Sequence, residues 1–378
     1  MKNLKPQFDF DDVLIVPKTK THVSSRYKDI VLPKALPLFT APMDTVVNLD
    51  NIDRFLASAI GVALPRTIKY SDFKTHNKFK EHNIEQLLKN TNIFISMGFS
   101  ELDNELKTSF RNPPNGMRIL IDVANGHMQK IFDYCREIKR LRPDIILMVG
   151  NIGNPETYEF YAKGNCVDYI RVGIGNGGGC LTTKQSGVGY PMASLIQATY
   201  EVKQRFIEEN KHLIEHKKKP SMLKLKEPAD IIPKIVADGG MKDHSDIIKA
   251  LALGADYVMI GNIFNKALES CAQNYLYGIK INKRLARHFF KKGRPVKKYF
   301  RGMSTKGAQK AMGKTVFKTS EGVVRFRKVE YGLSGWVENF EHYLRNAMSY
   351  CDAQDLDDFI GKVEICQITT KAYDRFNK

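Results

Sequence analysis

Asp168-Tyr-Ile-Arg-Val-Gly-Ile-Gly-Asn-Gly-Gly-Gly-Cys180 passes from a short apolar run into a loop made mostly of glycine. The run Asp168–Gly173 reads as a strand, and seven others like it recur along the chain: Pro37–Ala41, Gly61–Pro65, Ile93–Met97, Arg118–Val123, Ile145–Val149, Pro233–Ala237 and Asp256–Ile260. Nearly continuous apolar strands are buried on both faces, as in a parallel sheet covered by helices. Helical patterns lie between them. Met128–Arg142 puts Ile131, Tyr134, Cys135, Ile138 and Leu141 on one stripe, and Asp243–Leu253 does the same with Ile247, Ile248, Leu251 and Leu253. Eight strands alternating with helices predict an α/β fold of the (β/α)8, or TIM, barrel type rather than an open Rossmann sheet. No Gly-x-Gly-x-x-Gly follows a strand and opens a helix with an acidic residue behind it. Two features exceed a minimal barrel. Lys203–Asp230 lengthens the crossover before the seventh strand with a charged, helical insert, and Phe264–Lys378 is longer than a closing helix, so part of it should fold over the barrel mouth as a flap. Residues 1–378 read as one catalytic domain.

At 378 residues, 43% of them hydrophobic, the chain can bury a full core. No apolar stretch is long enough for a membrane span, and Met1–Asp12 is charged, without a secretory apolar segment. Six cysteines lie far apart with no metal-type spacing, which suits reduced thiols and a cytoplasmic setting. The net charge of +18 comes from 59 basic and 41 acidic residues, and the basic ones concentrate in Lys203–Lys226 and Lys283–Arg301. They read as solvated faces in preference to a nucleic-acid groove, though the field would attract phosphorylated small molecules.

A barrel carries its chemistry on the loops after the strand C-termini. Met43 and Asp44 follow the first strand; Asp122, Asn125 and Gly126 close the fourth; Asn151 follows the fifth. Asp238-Gly239-Gly240 ends the seventh and Gly261-Asn262 the eighth. The sixth runs into the Cys180 loop, where five of the seven residues before the cysteine are glycine. Such a backbone can approach a ligand closely, its carbonyls can ring a monovalent cation, and the thiol can act as a nucleophile once ionised.

The loop resembles the catalytic-cysteine loop of the IMP dehydrogenase/GMP reductase family. So do Asp11–Pro17 (DDVLIVP), Ala41–Val46 (APMDTV), Asp122–Gly126 (DVANG), Ala237–Gly240 (ADGG) and Arg301–Ser304 (RGMS), in family order over nearly the whole chain. The resemblance implies that the Cys180 thiolate adds to C2 of a purine nucleotide while a nicotinamide cofactor exchanges hydride with that carbon. It implies proton handling by Thr182 and Glu321. Asp238 would take the ribose hydroxyls, and Gly239, Gly240, Gly261 and Asn262 the 5′-phosphate. Gly302, Met303 and Ser304 would meet the base edge, Met43 would pack under the ring, and Lys318 would stand where the reductase branch has an arginine. Asp122, Val123, Ala124 and Gly175, with Ser25, Arg26 and Arg66, would line the cofactor, and the carbonyls of Gly175, Gly177 and Cys180 would hold potassium. A homotetramer is implied as well.

Within the family the sequence resembles the reductase branch, which turns GMP and NADPH into IMP, ammonia and NADP. Only Thr67–Asn92 separates strands two and three, where dehydrogenases carry a regulatory domain. The segment between Met303 and Glu321 has no Arg-Tyr pair to activate water. Departures stand at Gly178 (family Ser), Asn176 (family Pro), Lys318 (family Arg) and Arg345-Asn-Ala-Met-Ser349 (reductase RSTCT); Ala41 stands where dehydrogenases have Ser. Three readings therefore stay open: a GMP reductase working with NADPH or NADH, an IMP dehydrogenase without the regulatory domain, and an altered family member that acts on a modified purine or serves as an RNA-binding or scaffolding protein on a decayed barrel. The joint presence of Cys180, Thr182 and Glu321 argues against decay.

Overall fold

The computed structural model describes residues 5–76, 88, 92–108, 116–212, 232–313, 315 and 322–376. Eight parallel strands close a barrel in sequence order: β2 (Leu38–Thr40), β3 (Gly61–Leu64), β4 (Ile93–Met97), β5 (Arg118–Asp122), β6 (Ile146–Ile152), β7 (Tyr169–Val172), β8 (Lys234–Asp238) and β9 (Tyr257–Ile260), with β9 pairing back onto β2. All eight coincide with the apolar runs read from the sequence. The fifth continues to Ile152, so Asn151 lies in the strand end and not beyond it. The helical stripes form Gln129–Leu141 and His244–Ala252, within a residue of expectation at each end. The crossover before β8 begins as a helix, Met192–Glu209, and the expected insert beyond residue 212 lies outside the described residues.

Side chains alternate inward and outward along each strand. Outward residues pack under the surrounding helices in the main core; the inward ones form a separate cluster that includes Phe39, Phe94, Leu120, Met148, Val236 and Met259. Four rings plug the barrel. Phe39 and Phe94 meet edge to face at 5.5 Å, Tyr169 stands 5.5 Å from Phe94, and Tyr257 lies 5.1 Å from Phe39. Such geometry favours the ring quadrupoles.

The termini add two sheets. β1 (Val13–Ile15) pairs antiparallel with β14 (Ile365–Gln367). The tail contributes a four-stranded antiparallel sheet of β10 (Asn274–Leu276), β11 (Ile279–Ile281), β12 (Lys297–Arg301) and β13 (Val324–Lys328), in the order β11-β10-β12-β13. Helix Lys283–Lys291 covers one face of it through Ala286, Phe289 and Phe290. Helix Leu333–Tyr350 returns to the barrel wall, where Trp336 stacks on His244 at 4.7 Å. Among the described residues no helix is long and apolar enough to cross a membrane.

Candidate active site

The Cys180 loop leaves β7 through Gly173, whose φ of +132° and tight approach to Asp238 (2.3 Å from a built Cβ to the carbonyl oxygen) admit no side chain. The Cys180 N–H donates to the Gly177 carbonyl at 2.9 Å, and a short helix, Thr182–Ser186, follows. The thiol is half-buried and lies 3.2 Å from the Thr182 hydroxyl. The tail closes on this loop from above. Cys180 forms a β-bridge with Gly322, Val323 N–H donates to the Gly179 carbonyl at 3.1 Å, and Gly302 N–H donates to the Val323 carbonyl at 3.0 Å. The expected covering of the mouth by the tail is thus a hydrogen-bonded clamp on the cysteine. Lys318 and Glu321 lie outside the described residues.

Beneath the loop the barrel interior changes from apolar to polar. Arg171 points inward from β7, fully enclosed, and donates to Asp122 at 2.8 Å and to Asp238 at 2.7 Å. Asn151 donates to the same Asp238 oxygen, Oδ2, and to the Gly173 carbonyl, both at 2.8 Å. Burial works against the guanidinium charge, but the two carboxylates outweigh it and hold the Arg171 proton more firmly than usual. Among the described residues Asp238 Oδ1 carries no hydrogen bond, so one oxygen is fixed and the other uncommitted. Arg171 escaped the sequence reading as a site residue. Its signal was a charge at an inward position between Ile170 and Val172, tolerable in a barrel only when paired.

Gly239 and Gly240 both turn with φ of +90°, and a Cβ on Gly239 would come within 2.9 Å of the Gly177 nitrogen. The expected phosphate turn therefore lies directly against the Cys180 loop. Met43 reaches Gly261, where a Cβ would be 2.8 Å from its sulfur. Asp44 next to it pairs with Arg301 (Nε at 3.2 Å), and Thr305 donates to the Gly302 carbonyl at 2.8 Å, which fixes Gly302–Ser304 over the first strand's loop. A Cβ built on Gly178 would stand in ordinary contact, at 3.8 Å, with the Asn262 side chain, whose buried Oδ1 has no partner among the described residues.

On the opposite side Val123 is half-buried and Ala124 exposed, tied to the polar layer by Val123 N–H to the Gly150 carbonyl (3.1 Å) and Asn151 N–H to the Val123 carbonyl (3.0 Å). Arg66 folds onto Gly98 and pairs with Glu101 at 3.0 Å, and its buried Nε has no partner among the described residues. Burial opposes ionisation of Glu101, but Arg66 and local hydrogen bonds prevail and lower its pKa. The Ser25 N–H donates to Asp29, and Arg26 donates to Asn346 of helix Leu333–Tyr350, both at 2.8 Å. Among the described residues no group of three or more His, Cys, Asp or Glu suits a metal ion. A potassium ion would have only loop carbonyls, of which that of Gly177 already accepts one hydrogen bond.

A family model described as the IMP dehydrogenase / GMP reductase domain matches residues 7–375. Among curated proteins, the chain is 26% identical to a GMP reductase of Caenorhabditis elegans, over 98% of this chain and 95% of that protein. It is 26% identical to a GMP reductase of Streptococcus pyogenes over 94% of each, and 25% identical to one of Onchocerca volvulus over 98% and 94%.

Proposed function

The chain belongs to the IMP dehydrogenase/GMP reductase family, and on that premise we propose that this purine-nucleotide oxidoreductase runs in the reductive direction, converting GMP to IMP and ammonia. The observation that carries the reading is the half-buried Cys180 thiol, 3.2 Å from the Thr182 hydroxyl and clamped between the glycine loop and the tail. Full-length similarity to proteins named GMP reductase supports the direction.

Thr182, sharing the task with Glu321, takes the thiol proton and delivers it to the departing amine. The Cys180 sulfur bonds to C2 of GMP, and the 2-amino group leaves as ammonia, giving a thioimidate. A nicotinamide dinucleotide, NADPH or NADH, would supply hydride to that carbon when bound, and Asp122, Val123, Ala124 and Gly175 with Arg66 would hold it. The C–S bond then breaks, IMP departs and the thiol is restored. The sum is GMP, reduced cofactor and two protons giving IMP, ammonium and oxidised cofactor. The uncommitted Asp238 oxygen accepts from the ribose hydroxyls, while Arg171 and Asn151 hold the carboxylate in place. Gly239, Gly240, Gly261 and Asn262 take the phosphate, Met43 the ring, and Gly302–Ser304 the base edge. The carbonyls of Gly175, Gly177 and Cys180 would take a potassium ion to stiffen the loop, and a homotetramer is the assembly this reading carries.

The test is a direct comparison of GMP-dependent NADPH oxidation, with ammonia measured, against IMP-dependent NAD reduction. The proposal requires the first to exceed the second. The reverse order would make the chain a dehydrogenase without a regulatory domain.

A further inference from the structure

We propose that the outer face of the tail sheet is a platform for single-stranded nucleic acid. Between Glu269 and Glu321 the sequence contains no acidic residue and fourteen lysines and arginines, against a net charge of +18 for the whole chain. Composition alone makes this a solvated face, but the sheet gives it order. Tyr275 pairs with Lys280 on one side and Lys297 on the other, and Lys297 pairs with Lys328, so the four strands carry one row of three lysines and a tyrosine. Two residues along, on the same face, Tyr299 pairs with Phe326. Strand spacing makes the row about 14 Å wide, with the aromatic pair roughly 7 Å from it.

Phe326 is 54% exposed and stands edge-on to Tyr275 at 5.0 Å and to Tyr299 at 5.9 Å. Lys298 and Phe300, the alternating residues of β12, are buried on the opposite face. Among the described residues Lys280, Lys297 and Lys328 make no salt bridge. Lysines directly opposite each other on neighbouring strands repel, and a bound polyanion relieves that repulsion. A row of cations beside exposed ring faces is what an unpaired strand recognises: phosphates meet the ammonium groups and bases stack on the rings. A duplex keeps its bases stacked inside and offers only the phosphates. A second copy docked by a two-fold axis would set lysines against lysines.

The test uses the full chain and fluorescence anisotropy with labelled oligouridine and oligothymidine, the corresponding duplexes, heparin and phosphatidylserine vesicles. We expect both single strands to bind more tightly than their duplexes, which tells stacking from charge alone, and the two sugars to be read alike. Phe326→Ala should weaken single-strand binding by about 5- to 100-fold. Replacing Lys280, Lys297 and Lys328 together with Gln should flatten the dependence of log affinity on log salt by about 2, from about 0.7 per phosphate contact. Both variants should keep wild-type GMP turnover, since these side chains lie on the solvent side of the sheet. No single-strand binding at low salt would overturn the proposal. So would heparin or vesicles binding as tightly as oligonucleotides with no effect of Phe326→Ala, or a triple variant that changed only the sedimenting size.

Discussion

The two ends of one barrel interior differ more than any other two regions of the molecule. At the N-terminal end of the strands the inward positions of β2, β4, β7 and β9 carry Phe39, Phe94, Tyr169 and Tyr257, which pack on one another within an apolar cluster. One layer up, strands β5, β7 and β8 present Asp122, Arg171 and Asp238, joined by charge-assisted hydrogen bonds. Tyr169 and Arg171 are two residues apart on one strand. The lesson is that the inward–outward period fixes where a side chain points, while its height along the barrel axis decides whether it supports the fold or the chemistry.

The largest expected effect lies above both layers. Cys180→Ala should lower GMP turnover by roughly 1000-fold or more while leaving the melting temperature near wild type, because the proposed reaction runs through the half-buried thiol, which contributes little packing. Arg171→Met should come next and act on both properties. It leaves two carboxylates facing each other without their cation, at a cost of about 3–5 kcal/mol in stability, and it frees Asp238, so kcat/KM for GMP should fall in the fraction that remains folded. Arg171→Lys, which restores the charge without the fork, should recover stability more than turnover. Phe94→Ala should cost about 3–5 kcal/mol of stability and leave kcat/KM of the folded enzyme within a few-fold, measured well below the melting point. Equal catalytic damage from Phe94→Ala and Arg171→Met would break the division between the two layers.

The smallest effect comes from outside the barrel. Burial pushes the Asp246 carboxyl up to about 6 from 3.8, against the Lys242 N–H that donates to it at 2.8 Å. A folded pKa above the unfolded one means that stability is fully present below the unfolded value and declines as pH rises through about 6. Asp246→Asn should therefore stabilise the protein above pH 6, by at most about 3 kcal/mol, and do little near pH 4. Urea midpoints on the two sides of pH 6 measure it, and a gain independent of pH would exclude the carboxylate as its cause.

The barrel was legible because its strands are buried on both faces and so read as short apolar runs ended by turn residues. The tail sheet was not. Lys297–Arg301 (KKYFR) and Val324–Lys328 (VRFRK) carry charge at positions facing solvent and read as basic, solvated stretches. Their strand character comes from pairing with each other and from the helix Lys283–Lys291 beneath them, contacts that a single segment does not announce. At the mouth, strand ends marked Asp122, Asp238 and the glycine turns beforehand. The partner that joins the two carboxylates, Arg171, was hidden inside a strand, and the Asp44–Arg301 pair joins residues too distant in sequence for spacing to reveal. Ser25 and Arg26 were assigned to the cofactor by family resemblance; in the fold the Ser25 N–H donates to Asp29, and Arg26 donates to Asn346 of helix Leu333–Tyr350.

Mass spectrometry of the protein quenched during turnover with GMP puts the most direct question to the chemistry. A purine adduct localised to the peptide containing Cys180, and missing from Cys180→Ser, is the predicted result. An adduct on any other residue, or GMP reduction that survives Cys180→Ser, would contradict it.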